Sequence, residues 1–331
     1  VEHLAPDGER LENGVHNQVV VHGVVAGRTL ISVSQPGGCS RVAGFSPDGQ
    51  TLLTANCRSA DSPSTACLWE IATGLPRLHV PLPPTVGKGD VLAFAFSADG
   101  RTLMLAGPRE LLLVDVATGG VKLRRALGPD EDEVTAAAFS ADGRRLATGL
   151  LNGTVLVWDA EAATRPERAA LSERDREAWW AALARSDAQP ASVAAGRLAN
   201  DPEATVKLFR ERLRPARPAD GAAIQKLVAE LGSPQFAVRE AATRALAEFG
   251  EQTEPALKQA LAGNGSAELR KRIERLLAQS AIVKSPEALR RLRAVQVLGW
   301  IGTAEARSEL QRLSGGDPAA RETQAARAAL Q

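Results

Sequence analysis

The sequence predicts a two-part chain, stacked β-sheet repeats followed by an all-α region, and three observations carry that reading. An Asp-Gly signature preceded by Pro or Ala recurs at residues 5–8, 46–49, 97–100 and 140–143, at spacings of 41, 51 and 43 residues. An apolar run follows each copy and closes near Trp-Asp or a degraded version of it, as at Trp69-Glu70, Val114-Asp115 and Trp158-Asp159. Beyond Ala160 this pattern stops and gives way to a composition rich in Ala, Leu, Arg and Glu. The period is that of a β-propeller blade, and a length of 331 residues predicts about two domains. The boundaries that follow are 1–162 for the β repeats and 163–331 for the helical domain.

The last copy explains how one repeat folds. Residues 134–139 favour an extended strand, Asp142-Gly143 supplies a turn that tolerates positive φ, and 144–148 form the return strand. Asn152-Gly153 turns the chain again. Residues 154–159 are then apolar on both parities, as expected of a strand buried between two neighbouring sheets. Three antiparallel strands cannot bury two faces alone, so copies must stack.

With Ala72-Thr73-Gly74 and Ala117-Thr118-Gly119 in the turns after the Trp-Asp positions, residues 1–162 resemble WD40 repeats. The first copy is eroded, with residues 18–23 where that family closes a strand in Trp-Asp and Val25-Ala26-Gly27 in the following turn. The family's Gly-His pair is missing, and Gly128-Pro129 stands where it would be expected. The Asp-His-Ser-Trp hydrogen-bond tetrad is therefore expected to be absent, with stability resting on apolar stacking. Four repeats lie at the small end of the propeller range of about 4 to 8 blades. The expectation is a propeller whose earlier blades lie upstream of Val1, with a closed four-bladed ring as the alternative.

Helix starts are signalled at Ser172, Asp201-Pro202, Ser233-Pro234, Ser266, Ser285-Pro286, Thr303 and Asp317-Pro318, each placing a side-chain acceptor at or near the N-cap. Residues 172–185 and 202–213 carry apolar faces suited to capping the helical array or docking it on the sheets. Arg214-Pro215-Ala216-Arg217-Pro218 reads as a stiff extended linker. Residues 238–250 are nearly repeated 52 residues later at 290–302, both ending in a C-capping glycine. A second helix follows each copy, at 254–261 and 304–313. These hairpins resemble HEAT-type repeats, with Arg239 and Arg291 at the arginine position of that motif.

Chemistry leaves few marks. His3, His16, His22 and His79 have no metal-site spacing, and the Gly-rich phosphate loop, the Gly-x-Gly-x-x-Gly fingerprint and the Gly-x-Ser-x-Gly elbow are absent. The acidic run 130–133 lacks the spaced ligands and central glycine of a calcium loop. No catalytic residue, metal or cofactor is expected. Three cysteines make no framework, although Cys57 and Cys67 flank the expansion 58–66 and would face each other across a long hairpin. No run approaches the roughly 18 apolar residues of a membrane span, and a cytoplasmic location is expected.

Charge divides between the halves: 13 Lys/Arg against 18 Asp/Glu in 1–162, and 27 against 21 in 163–331. The basic residues concentrate at Arg270, Lys271, Arg272 and Arg275 and at Arg290, Arg291 and Arg293, a candidate strip if the two helices pack side by side. Glu268, Glu274 and Glu287 interrupt it and no aromatic side chain accompanies it, so a solvated surface is expected and nucleic acid is not.

The expected function is a non-enzymatic protein-binding scaffold or sensing module, with contacts in the loops at Arg58, Asp61, Arg109, Glu110 and Asn152. The order of parts resembles the C-terminal half of large bacterial WD40 proteins. That resemblance implies the alternative of a regulatory region whose effector, a Ser/Thr kinase or an extracytoplasmic-function sigma factor, lies outside this chain. Partner identity, blade total and oligomeric state are not encoded in any motif.

Overall fold

In the computed structural model, residues 3–4, 9–13, 18–23, 28–34, 40–56, 65–81, 93–107, 110–128, 133–165, 167–218, 220–263, 265–280 and 282–331 are described. The Pro6-Asp7-Gly8 turn, Cys39, Cys57 and the 58–64 expansion, and residues 130–132 lie outside them.

Four antiparallel sheets form the N-terminal half, each a meander in sequence order. The first holds β1 (His3–Leu4), β2 (Glu9–Asn13), β3 (Gln18–Gly23) and β4 (Arg28–Ser34). The second holds β5 (Ser40–Phe45), β6 (Thr51–Asn56), β7 (Thr65–Glu70) and β8 (Leu75–Pro81). The third holds β9 (Ala93–Phe96), β10 (Thr102–Ala106), β11 (Glu110–Asp115) and β12 (Val121–Ala126). The fourth holds β13 (Val134–Phe139), β14 (Arg145–Leu150) and β15 (Val155–Asp159).

The recurring signature is a turn whose parts each have a task. In the second sheet Gly49 sits at φ 66°, the Asp48 carboxylate accepts from Gln50 N–H at 3.0 Å, and the Ser46 hydroxyl accepts from Thr51 N–H at 3.0 Å. The same bonds recur at Ser97/Asp99 and Ser140/Asp142. In the last three copies serine thus belongs to the signature with Asp-Gly, because it satisfies a backbone donor that the turn would otherwise orphan.

The third strand of each sheet shows why both parities are apolar. Cys67 and Trp69 pack toward the first sheet with Val19, Val21, Ile31 and Val33, while Ala66 and Leu68 pack toward the third. Leu112 and Val114 face the second sheet, whereas Leu111 and Leu113 face the fourth. The stack does not close among the described residues. Val155 and Val157, expected to lie in a strand buried on both faces like its counterparts, are 65% and 64% exposed because no sheet among the described residues packs on them.

Part of the tetrad expected to be missing is present. Trp69 donates its indole N–H to Thr54 at 2.8 Å, and Trp158 donates to Thr148 at 2.8 Å. In the third sheet, where Val114 replaces the tryptophan, Leu105 replaces the threonine, so this pair of positions carries no polar group to satisfy. Stacking and a cross-strand polar pair therefore share the stabilisation.

Helices begin directly after the strands: α1 (Glu161–Thr164), α2 (Glu173–Ala182), α3 (Ala188–Ala199), α4 (Pro202–Arg212), α5 (Gly221–Glu230), α6 (Phe236–Phe249), α7 (Glu254–Ala262), α8 (Ala267–Ser280), α9 (Pro286–Ile301), α10 (Ala304–Ser314) and α11 (Arg321–Ala328). Ser172, Ser285 and Thr303 cap α2, α9 and α10 through their side chains. Gly250 and Gly302 end α6 and α9 at φ 58° and 63°. Residues 213–218 are neither helix nor strand, and the Ala216 carbonyl accepts from Asp317 N–H at 2.9 Å. Starts signalled at Ser233 and Asp317 fall a few residues early, while α3 and α5 carried no recognised signal.

Most helices belong to one of two large cores, and Leu289 and Leu292 of α9 form a small third cluster with Ala72 and Val283. Ile224, Leu246, Leu257 and Ile273 of α5–α8 form one. Leu198, Phe209, Leu298 and Leu310 of α3, α4, α9 and α10 join a second core continuous with Leu53, Leu68, Leu103 and Leu112 of the sheets. The two similar hairpins, α6/α7 and α9/α10, thus belong to different cores.

Trp69 is 5% exposed, whereas Trp158 is half-buried on the open fourth sheet. Urea unfolding is expected to show a loss of about 3–5 kcal/mol for Trp69→Ala and of only about 1–2 kcal/mol for Trp158→Ala. Equal losses would mean that Trp158 is covered as fully as Trp69.

Candidate interaction surfaces

One end of the sheet stack is sealed by helix. On α9, Leu289, Arg293, Gln296 and Trp300 recur at helical spacing and form one buried face. Arg293 is 3% exposed and grips Glu70 with two bonds, Nε to Oε1 at 2.8 Å and Nη2 to Oε2 at 2.7 Å. Its Nη1 donates to the carbonyls of Leu183 and Arg185 at 2.7 and 2.6 Å. Glu70 also accepts from the Thr73 hydroxyl at 2.8 Å. A planar fork suits this site, since one guanidinium can serve a carboxylate and two carbonyls at once.

A second buried arginine lies beside the first. Arg77 donates to the Thr51 hydroxyl at 2.7 Å and to Gln296 Oε1 at 3.0 Å, and stands 5.7 Å from the Trp300 ring centre. Gln296 in turn donates to Asp48 Oδ2 at 2.8 Å, so α9 reaches the Asp-Gly turn itself. Farther along the rim, Arg101 donates to Asn200 Oδ1 at 2.7 Å, and Val283 N–H donates to the Ala72 carbonyl at 2.7 Å. Gly196 lies so close to Ala117 that a Cβ would come within 2.6 Å of the alanine methyl.

Burial pushes the Glu70 carboxyl up, but the hydrogen bonds and charge of Arg293, the charge of Arg77 and the Thr73 hydroxyl outweigh it and hold the group below the usual carboxylate range. Burial pulls Arg77 down, opposed by Glu70 and Asp48 and reinforced by Arg293. Arginine nevertheless stays charged in proteins.

The β14–β15 turn, and the described strand ends Asn56, Thr65, Ala106 and Glu110 of the second and third sheets, lie at the end of the strands away from the Asp48 and Glu70 turns that α9 contacts. Asn152 is exposed there, and its Oδ1 accepts from Thr154 N–H at 2.9 Å, so it shapes the turn that displays it. Glu110 is 7% exposed and its carboxylate binds Arg124 with two bonds. Arg58, Asp61 and Arg109 lie outside the described residues.

The basic residues of α8 and α9 are dispersed. Arg293 is committed to Glu70. Arg290 pairs with Glu287 at 2.5 Å and stacks on Trp180, and Arg291 pairs with Glu287 and Glu322. On α8, Arg272 pairs with Glu240 at 2.7 Å and Glu268 at 3.1 Å, and Arg270 donates to the Gly263 carbonyl. Lys271 and Arg275 are exposed. A cleft of about 490 Å³ separates the two helical groups, with Arg217, Lys284 and Arg291 on its walls.

Among the described residues no group of three or more His, Cys, Asp or Glu is arranged to hold a metal ion, and no helix is long and apolar enough to cross a membrane. Cys67 Sγ lies 3.0 Å from His79 Nδ1 across neighbouring strands.

The network at Glu70, Arg77, Arg293 and Gln296 was not singled out from the sequence. Its signals are visible in retrospect: glutamate in place of the aspartate after Trp69, Arg77 within an otherwise apolar-patterned strand, and Arg293 and Gln296 in the apolar stripe of α9.

Residues 121–159 match the WD domain, G-beta repeat, and residues 238–263 match the PBS lyase HEAT-like repeat. No curated protein matches the chain. The chain therefore combines a WD40 repeat with a HEAT-like repeat.

Removing one partner of a buried pair strands the other. Arg293→Met is expected to destabilise the chain by about 3–5 kcal/mol, and Glu70→Gln combined with it to recover part of the loss; additive losses in urea unfolding would exclude coupling. Because the folded Glu70 carboxyl lies below its ordinary value of 4.5, its contribution is present above that pH and is lost as pH falls through the folded value. Glu70→Gln is expected to flatten the acid limb of the stability curve, and an unaltered limb would contradict the assignment.

Proposed function

We propose that the four sheets are propeller blades and that the chain is a non-enzymatic scaffold or sensing module for protein partners. The observation that carries this reading is the sealed rim: the Arg293–Glu70 pair fixes α9 to one end of the stack and leaves the turns of the opposite end as the surface for partners. Turns on a rigid stack hold varied side chains in fixed positions, which is what recognition without chemistry requires. Arg58, Asp61, Arg109 and Asn152 are the proposed contacts. Glu110, of the same candidate set, is committed to Arg124. The dispersed arginines of α8 and α9 suit a solvated helical surface better than a phosphate track. A regulatory half attached to a Ser/Thr kinase or an extracytoplasmic-function sigma factor would use the same rim, with the effector as partner.

Charge reversal at Arg58→Glu, Asp61→Lys and Arg109→Glu, with Asn152 kept because it holds its turn, tests the rim. A partner captured by the wild type is expected to bind the variant at least about tenfold more weakly, equivalent to about 1.4 kcal/mol. Lys271→Glu with Arg275→Glu on α8 is expected to leave capture unchanged. An undiminished partner on the rim variant, with circular dichroism unaltered, would refute the assignment.

A further inference from the structure

The cleft between the two helical groups carries charge that the chain leaves uncompensated. Among its described wall residues Arg217, Lys284 and Arg291 are cationic and Glu322 alone is acidic. Arg291 pairs with Glu322 at 3.2 Å and with Glu287 at 3.4 Å. Glu254, next to the wall residue Thr253, accepts from the Ser280 hydroxyl and pairs with Lys258 and Arg321. Arg217 and Lys284 remain exposed, and neither side chain has an ion-pair or hydrogen-bond partner among the described residues. Apolar side chains share the walls with these two cations: Leu246 of α6, Leu276 of α8, and Ile282 and Val283 ahead of α9. Ile282 is 37% exposed there. Direct bonds between the groups are polar, from Gln252 to the Arg217 carbonyl and to Asp317, and from Arg321 to the Ser280 carbonyl. Packing leaves the space beside them open.

We infer that this cleft binds a small organic anion, an acidic group on an apolar body, with Arg217 and Lys284 on the acid and Leu246, Leu276 and Ile282 against the body. Its volume of about 490 Å³ falls within the roughly 300–1,000 Å³ of small-molecule sites. The walls come from the 216–217 linker, α6, α8, α9 and the start of α11, an enclosure that suits a compact molecule better than a continuous chain. A guanidinium and an ammonium both make charge-assisted bonds to acidic oxygens, and the apolar body gains by leaving water. Thr253, Ser285 and Ala320, the N-cap residues of α7, α9 and α11, lie on the same walls, so the positive ends of three helix dipoles add a field of the same sign. Occupancy ties the α5–α8 group to the second sheet, because Val283 of the wall donates to the Ala72 carbonyl at 2.7 Å. The site lies apart from the rim contacts proposed above and stands without them.

Fluorescence titration of the full chain with anilinonaphthalene sulfonate, an aromatic anion that brightens when its rings leave water, tests the site. Saturable binding is expected in the wild type. Arg217→Gln with Lys284→Gln is expected to weaken it at least about tenfold. Lys226→Gln with Lys271→Gln removes the same charge from exposed positions off the cleft walls and is expected to leave binding unchanged. Ala247→Trp, at an exposed wall position on α6, is expected to abolish binding by filling the cleft. Should that variant lose its helical circular dichroism, Ala247→Glu gives the same reading by repelling the anion. Absence of saturable binding to the wild type would overturn the inference. So would undiminished binding to the Arg217/Lys284 variant, or an equal loss in the Lys226/Lys271 control.

Discussion

The junction between sheets and helices rests on a buried ion pair in which both carboxylate oxygens and four of the five guanidinium N–H groups have protein partners. Arg293 binds a carboxylate at the end of β7 and two carbonyls after α2, so one side chain ties α9, the turn before α3 and the second sheet together. Desolvating two charges is expensive, and the compensation comes from short, charge-assisted bonds and from Thr73 on the same carboxylate. The position of α9, the contact of Gln296 with the Asp48 turn and the cover that Trp300 gives to Arg77 all depend on this anchor.

The sheets follow a simpler rule. In each third strand, alternate residues are assigned to the preceding and the following sheet, so every sheet is finished only by its neighbours. The turns are the parts freed from this duty, and they fall into two rims with different fates. One rim is occupied by helix, through Asp48, Glu70, Ala72 and Arg101. The other carries side chains that shape turns, as Asn152 does, and it is there that recognition has room to vary.

Much of this was readable in the sequence because local chemistry encodes it. The Asp-Gly turns, the third-strand runs and the serine and threonine caps each act over a few residues, and all four sheets and most helices follow from them. The junction was not read, because Glu70 and Arg293 meet across 223 positions of sequence and the local irregularity at each does not point to the other. Helix α3 escaped notice for a related reason: its contact surface is Ala191, Ala194, Ala195 and Gly196, small residues chosen for close approach and not for hydrophobic bulk. The open face of the fourth sheet was misjudged because Val155 and Val157 have the composition of a buried strand, and composition does not say whether a neighbour is present.

The pairing of Trp69 with Thr54 and Trp158 with Thr148, against Val114 with Leu105, constrains how such a chain can change over generations. Losing the indole alone leaves a buried hydroxyl without a partner, and losing the hydroxyl alone leaves a buried N–H in the same state. Either intermediate is less stable than both ends of the path. Replacing both groups together, as Val114 and Leu105 stand in the third sheet, leaves neither orphan at that pair.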